Sequence, residues 1–228
     1  MLLYRGRTVL LGLFDSGRGG LNTVRHLKNS GDDLDLIYLI DINNSPYGIK
    51  TEKEIIEIAT HNIKTLSAMG AEKILIACCT AGTVHPYLDK ECREISIPII
   101  SEVADRARTL TRYGRVGVIA TEHTVRSHAF SKALSELSVT EMAASELVTL
   151  IDGGLCDATA KDGDVAMLEK MLRPILDEGI DTLILGCTHF PALSETIDKI
   201  AKKYGDIRIV DSARAGADAL RKYKSQGK

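Results

Sequence analysis

Short, wholly apolar runs alternate with segments in which apolar residues return every three or four positions, and this alternation continues through the chain. The first kind predicts buried strands and the second amphipathic helices. Thr8 to Phe14 reads as a strand, and Leu21, Val24 and Leu27 then mark a helix that stops at Gly31. Leu34 to Ile40 is the second strand. A Thr51/Glu54 capping box opens the helix of Ile55, Ile58, Ile63, Leu66 and Met69, with Gly70 as its stop. Lys73 to Ala77 is the third strand, and Pro86 is expected to kink or restart the helix that follows.

Beyond Ile97-Pro98-Ile99-Ile100 the pattern begins again. A helix over about Glu102 to Tyr113 precedes a strand at Arg115–Ala120, and Thr121 opens another helix. A short strand at Val139–Ala143, a helix from Asp164, strands at Asp181–Gly186 and Ile207–Val210, and a last helix from about Ala213 complete the chain. Strands and helices alternating at this length call for α/β architecture with parallel sheets covered on both faces and ligands beyond the strands' carboxyl ends. We therefore expect two similar lobes, 1–100 plus 211–228 and 101–210, with the last helix packing back on the first. Asp15, Asp41, Cys78, Thr121, Cys187 and Asp211 fall at strand ends, and one cleft between the lobes is expected to collect them.

Two stretches carry the chemistry. Ile74-Leu75-Ile76-Ala77-Cys78-Cys79-Thr80 and Leu183-Ile184-Leu185-Gly186-Cys187-Thr188 each run from a buried strand through a small residue to a cysteine, with a threonine close behind. A thiol there is expected among free backbone N–H groups at a helix start, which favours thiolate. Two such thiols on equivalent turns suggest a pair of bases facing one substrate from opposite sides, as stereoinversion at carbon requires. The turn Asp15-Ser16-Gly17-Arg18-Gly19-Gly20 lacks the Gly-Lys-Ser/Thr ending of a phosphate loop and the spacing of a dinucleotide fingerprint. Its glycines are expected to let the backbone approach a small anionic ligand.

Bulk properties narrow the class. A net charge of −2 in 228 residues gives no electrostatic reason to expect nucleic acid or an anionic membrane. Five cysteines without a small disulfide framework fit a reducing compartment. Neither a signal peptide in Met1 to Arg7 nor a membrane span is expected, so the reading is soluble and cytoplasmic. Cys78, Cys187 and His189 match no compact zinc spacing, and no metal is expected. Cys92 and Cys156 read as structural, Asp41 and Asp211 as turn caps, and His123 and His128 as exposed.

In order, Asp15-Ser16-Gly17-x-Gly19-Gly20-Leu21, Pro46-Tyr47-Gly48, Ala77-Cys78-x-Thr80-Ala81, Val116 to Thr121 with Thr124-Val125, and Leu185-Gly186-Cys187-Thr188-His189-Phe190-Pro191 resemble the cofactor-independent aspartate/glutamate racemases over nearly the whole chain. The resemblance implies two lobes related by pseudo-twofold symmetry with the active site between them, no cofactor, and glutamate as substrate, racemised to supply D-glutamate for peptidoglycan. It implies Cys78 as the base for the D-enantiomer and Cys187 for the L-enantiomer, assisted by Asp15 and His189. Ser16, Thr80 and Thr188 would hold the amino and α-carboxylate groups, Thr121 and Thr124 would line the second lobe's side, and Tyr47 and Gly48 would receive the distal carboxylate through backbone N–H groups. A homodimer is also implied. Two positions depart from the family pattern: Cys79 stands where the family has Asn, and Asp152 corresponds to a family glutamate. Racemisation of aspartate or another amino acid, or glutamate binding without turnover, therefore stay open as alternatives.

Overall fold

The computed structural model describes residues 9–31 and 34–226, so Thr8 and the expectations for Met1 to Arg7 lie outside the described residues. Two four-stranded parallel sheets form the frame. The first holds β1 (Leu11–Asp15), β2 (Leu36–Ile40), β3 (Lys73–Ile76) and β4 (Ser96–Pro98) in the order β2-β1-β3-β4. The second holds β5 (Arg115–Ala120), β6 (Ser138–Ala143), β7 (Thr182–Gly186) and β8 (Arg208–Asp211) in the order β6-β5-β7-β8. The topology is thus repeated, with β3 and β7 at equivalent places. In both sheets the strand order reverses beside the first strand of the repeat, the place where open parallel sheets leave a crevice for ligands.

The helices are α1 (Leu21–Asn29), α2 (Glu52–Ala68), α3 (Cys79–Gly82), α4 (Lys90–Ile95), α5 (Ile99–Leu110), α6 (Glu122–Ser127), α7 (Ala129–Ala133), α8 (Glu146–Asp152), α9 (Asp162–Leu176), α10 (Ser194–Ala201) and α11 (Ser212–Gln226). The Thr51/Glu54 capping box forms as expected, because the Thr51 hydroxyl accepts from the Glu54 N–H while the Glu54 carboxylate accepts from the Thr51 N–H. The helix expected over Glu102 to Tyr113 starts at Ile99 instead, directly behind Pro98, whose fixed φ suits a helix boundary. Pro86 sits inside a short 3₁₀ turn, His85–Tyr87, that separates α3 from α4.

Alternation along the strands sorts side chains into distinct cores. Leu11, Leu13 and Leu75 face a central core shared with Val116, Val118 and Ile184 of the second sheet, and α5 and α11 pack between the sheets with Val103, Ala104, Ala217 and Leu220. Phe14, Ile74 and Ile76 point the other way, against α2. Leu183 and Leu185 face α9 and α10 on the far side of the second sheet. The central core fixes the sheets relative to each other, and α11 packs on both α1 and α5.

Candidate active site

The carboxyl ends of β3 and β7 open onto one cleft of about 880 Å³, lined from the first sheet by Ser16, Cys78, Cys79 and Thr80 and from the second by Thr121, Cys187, Thr188 and His189. The loop carrying Pro46, Tyr47 and Gly48 forms a further wall, and Asp152 at the end of α8 forms another. Asp41 and Asp211 do not join this cleft. Asp41 caps the turn that follows it, accepting from the Asn44 N–H, and Asp211 accepts from the N–H groups of Ala213 (2.7 Å) and Arg214 (3.1 Å) at the start of α11.

The Cys78 and Cys187 side chains are both buried, with residue exposures of 6% and 7%. The Cys78 sulfur lies 3.5 Å from the Ser16 hydroxyl, and the Cys187 sulfur 3.8 Å from His189 Nδ1. The expected thiolate character is not found at either. Burial, reinforced by the negative charge of Asp15, pushes the Cys78 thiol up to about 11 against the lowering effect of Ser16. Burial pushes Cys187 up further, aided by charge on Cys78 and Asp15. The first-turn amides of α3 and the amide of His189 oppose this without overcoming it, because desolvation of a buried anion outweighs a few oriented dipoles.

Asp15 sits behind the cleft wall with no exposed surface, its oxygens accepting from the backbone N–H groups of Ser16 (2.8 Å) and Gly20 (2.5 Å). Burial raises its pKa, with His189 and Thr188 working against the rise. His189 Nε2 is 3.4 Å from the Asp152 carboxylate, which joins the largely exposed Asp152 to Cys187 through the imidazole. Thr80, Thr121 and Thr124 form a hydroxyl cluster across the lobes at 3.1, 3.5 and 3.0 Å. Thr124 has no exposed surface and stands behind Thr121, so it supports the cleft wall without forming part of it. Cys79 is 3% exposed, and burial, reinforced by negative charge on Cys187 and Cys78, raises its thiol well above the ordinary value.

Gly19 of the glycine turn has a packing role between the lobes. A side chain at Gly19 would collide with Thr188 Oγ1 at 2.2 Å, and Asn22 donates to the Thr188 carbonyl at 2.9 Å. The missing side chain therefore lets the glycine turn of the first lobe approach the Cys187 turn of the second. His123, expected to be exposed, is half-buried in the cleft wall with Nε2 3.4 Å from the Thr83 hydroxyl. Cys92 is fully buried, whereas Cys156 is half-exposed in a turn beside Thr159. Sequence reasoning also passed over Arg18, Lys50 and Arg126, which ring the cleft mouth. Arg18 lies inside the glycine motif and was open to notice; nothing local marks the other two.

Residues 22–220 match the family described as Asp/Glu/Hydantoin racemase. A glutamate racemase of Desulforudis audaxviator is 37% identical over 216 residues, covering 92% of this chain and 77% of that protein. Among solved structures, glutamate racemase isoform RacE1 from Bacillus anthracis superposes with a TM-score of 0.85 at 30% identity, over 96% of this chain and 82% of that one. The Francisella tularensis glutamate racemase in complex with D-glutamate gives 0.80 at 29% identity with the same coverage.

Proposed function

The chain belongs to the Asp/Glu/Hydantoin racemase family and is an amino-acid racemase, and from that premise we propose that it interconverts L- and D-glutamate by a two-base mechanism with Cys78 and Cys187 as the acid–base pair. The observation that carries this reading is the placement of two buried thiols at equivalent strand ends, opening on one cleft. Charge on Cys78 adds to the burial that raises the pKa of Cys187, so the cleft disfavours two thiolates at once. A two-base racemase needs one base and one acid.

In the L-to-D direction the Cys187 thiolate takes the α-proton from one face and becomes a thiol. Cys78 gives its proton to the opposite face and becomes the thiolate. The reverse direction starts from that second protonation state, so free enzyme returns to the first by exchanging protons with solvent. Asp15 behind the Ser16–Cys78 side and His189 beside Cys187 are the groups that exchange protons with each thiol. The substrate's ammonium group favours a thiolate in the cleft, offsetting part of the burial penalty. Thr80, Thr121 and Thr188 offer hydroxyls to the α-substituents, where developing negative charge in a dry site gains most from fixed donors. The Tyr47–Ile49 turn presents its backbone to the distal carboxylate.

We further propose that the product D-glutamate serves peptidoglycan synthesis in the cytoplasm and that the protein works as a homodimer. No helix among the described residues is long and apolar enough to cross a membrane. The test is incubation of purified protein, stripped of metal and pyridoxal phosphate, with L-glutamate, D-glutamate and L-aspartate, following optical rotation. Loss of rotation with both glutamate enantiomers and none with aspartate is expected. Activity on aspartate alone would replace the substrate, and a folded, reduced protein that binds glutamate without turnover would remove the enzymatic reading.

A further inference from the structure

We propose that a buried hydrogen-bond network of Asp41, Tyr47 and Asn62 positions the 45–50 wall of the cleft and thereby sets the enzyme's hold on the substrate's distal carboxylate. The inference rests on the glutamate reading above and assigns the residues that make the wall rigid.

Asp41 directly follows β2 and is 8% exposed. Its Oδ2 accepts from the Tyr47 hydroxyl at 2.6 Å and from Asn62 Nδ2 at 3.1 Å, and Asn62 also donates to the Tyr47 oxygen at 3.0 Å. Asn44 closes the other side, with Nδ2 2.9 Å from Oδ1. Burial works to raise the Asp41 pKa, but the bonds from Tyr47, Asn62 and Asn44 outweigh it and hold the carboxyl below its ordinary value.

Tyr47 is 1% exposed and packs in the outer core with Ile55 and Ile63, and Asn62 is 3% exposed on α2. Their neighbours in the same loop do the opposite, since Ile42 and Ile49 are 64% and 84% exposed at the cleft. One ring therefore fastens an otherwise exposed loop to α2, while the backbone beside that ring faces the cleft and packs toward α6 of the second lobe. A fully satisfied buried polar network rigidifies what it joins, because each polar atom must keep its partner.

A comparable network elsewhere serves as the control. Asp181 is also 8% exposed and accepts from the Thr111 hydroxyl (2.7 Å) and the Tyr113 N–H (2.5 Å), but it precedes β7 at the end of the sheet away from the cleft. The experiment compares Tyr47→Phe and Asp41→Asn with Asp181→Asn, measuring steady-state kinetics, calorimetric binding of D-glutamate and Tm. Tyr47→Phe keeps the ring and so guards against simple failure to fold. We expect KM and the dissociation constant to rise roughly ten-fold in both cleft variants with kcat within about two-fold, the signature of lost binding shared by ground and transition states. Asp181→Asn should lower Tm and leave KM unchanged. Folded Tyr47→Phe and Asp41→Asn proteins that keep wild-type KM, or that lose only Tm as Asp181→Asn does, would overturn the inference alone. Wild-type protein that neither binds nor racemises glutamate would overturn the substrate reading and the inference with it.

Discussion

The turns after β3 and β7 occupy equivalent places in a repeated topology, yet they surround their thiols with different chemistry. Cys78 has a hydroxyl at 3.5 Å and a buried carboxylate behind it, sealed from solvent. Cys187 has an imidazole at 3.8 Å that reaches an exposed carboxylate, Asp152. The backbone repeat supplies two opposed positions; the side chains then make one side a sealed pair and the other a relay toward water. In the proposed mechanism the two faces of the substrate therefore meet unlike bases, although the equilibrium between enantiomers is symmetrical.

The largest predicted effect tests whether the two turns are equally necessary. Cys78→Ala and Cys187→Ala should each lower racemisation by roughly 10³-fold or more, the scale expected when a positioned acid–base group is removed. Activity that survives in either variant, measured by polarimetry from both enantiomers, would reduce the pair to one working thiol.

Next come the unlike partners. Asp15→Asn and His189→Ala should each cost about 10²-fold in kcat/KM, equally in both directions because the equilibrium constant ties them. Their isotope effects should differ. With His189→Ala, proton transfer at Cys187 becomes slower, so α-deuterated L-glutamate shows the larger kinetic isotope effect; with Asp15→Asn, α-deuterated D-glutamate does. Matching isotope effects in the two variants would mean that both residues serve the cleft as a whole. Asp152→Ala should cost less than about ten-fold, since the carboxylate is largely exposed and acts only through His189.

The last effect is on stability rather than on rate. The folded state holds the Cys78 proton more tightly than the unfolded chain does, so this contribution is complete below pH 9 and is lost as pH rises through about 11. Thermal unfolding between pH 8 and 11 should show an alkaline loss that is smaller by about 2–3 kcal/mol in Cys78→Ala. An identical slope in both proteins would remove burial as the cause of the raised thiol.

Much of this frame was legible along the chain. Apolar runs ending in Asp15, Cys78, Thr121 and Cys187 marked the strand ends, and the duplicated cysteine turn marked the repeat, because period and punctuation are local properties. Thiol protonation was not legible: the free amides at a turn can be read from sequence, whereas the burial that defeats them depends on the opposite lobe. The packing role of Gly19 was hidden for the same reason, since it answers to Thr188, far away in sequence. Thr124 and Asp15 lie behind the surface they were expected to form, and Asp41 reaches across to Asn62 on α2, contacts that no spacing rule encodes.

The central claim is that one thiol removes the proton and the other supplies its replacement. The most direct measurement follows wild-type protein in D₂O with protiated L-glutamate, then D-glutamate, reading isotope content in product and recovered substrate within the first tenth of the reaction. Two bases predict product carrying deuterium at Cα from the first turnovers while recovered substrate stays protiated, from either enantiomer. Product that retains the substrate's own proton would contradict the account, because a single group would then be carrying it from one face to the other.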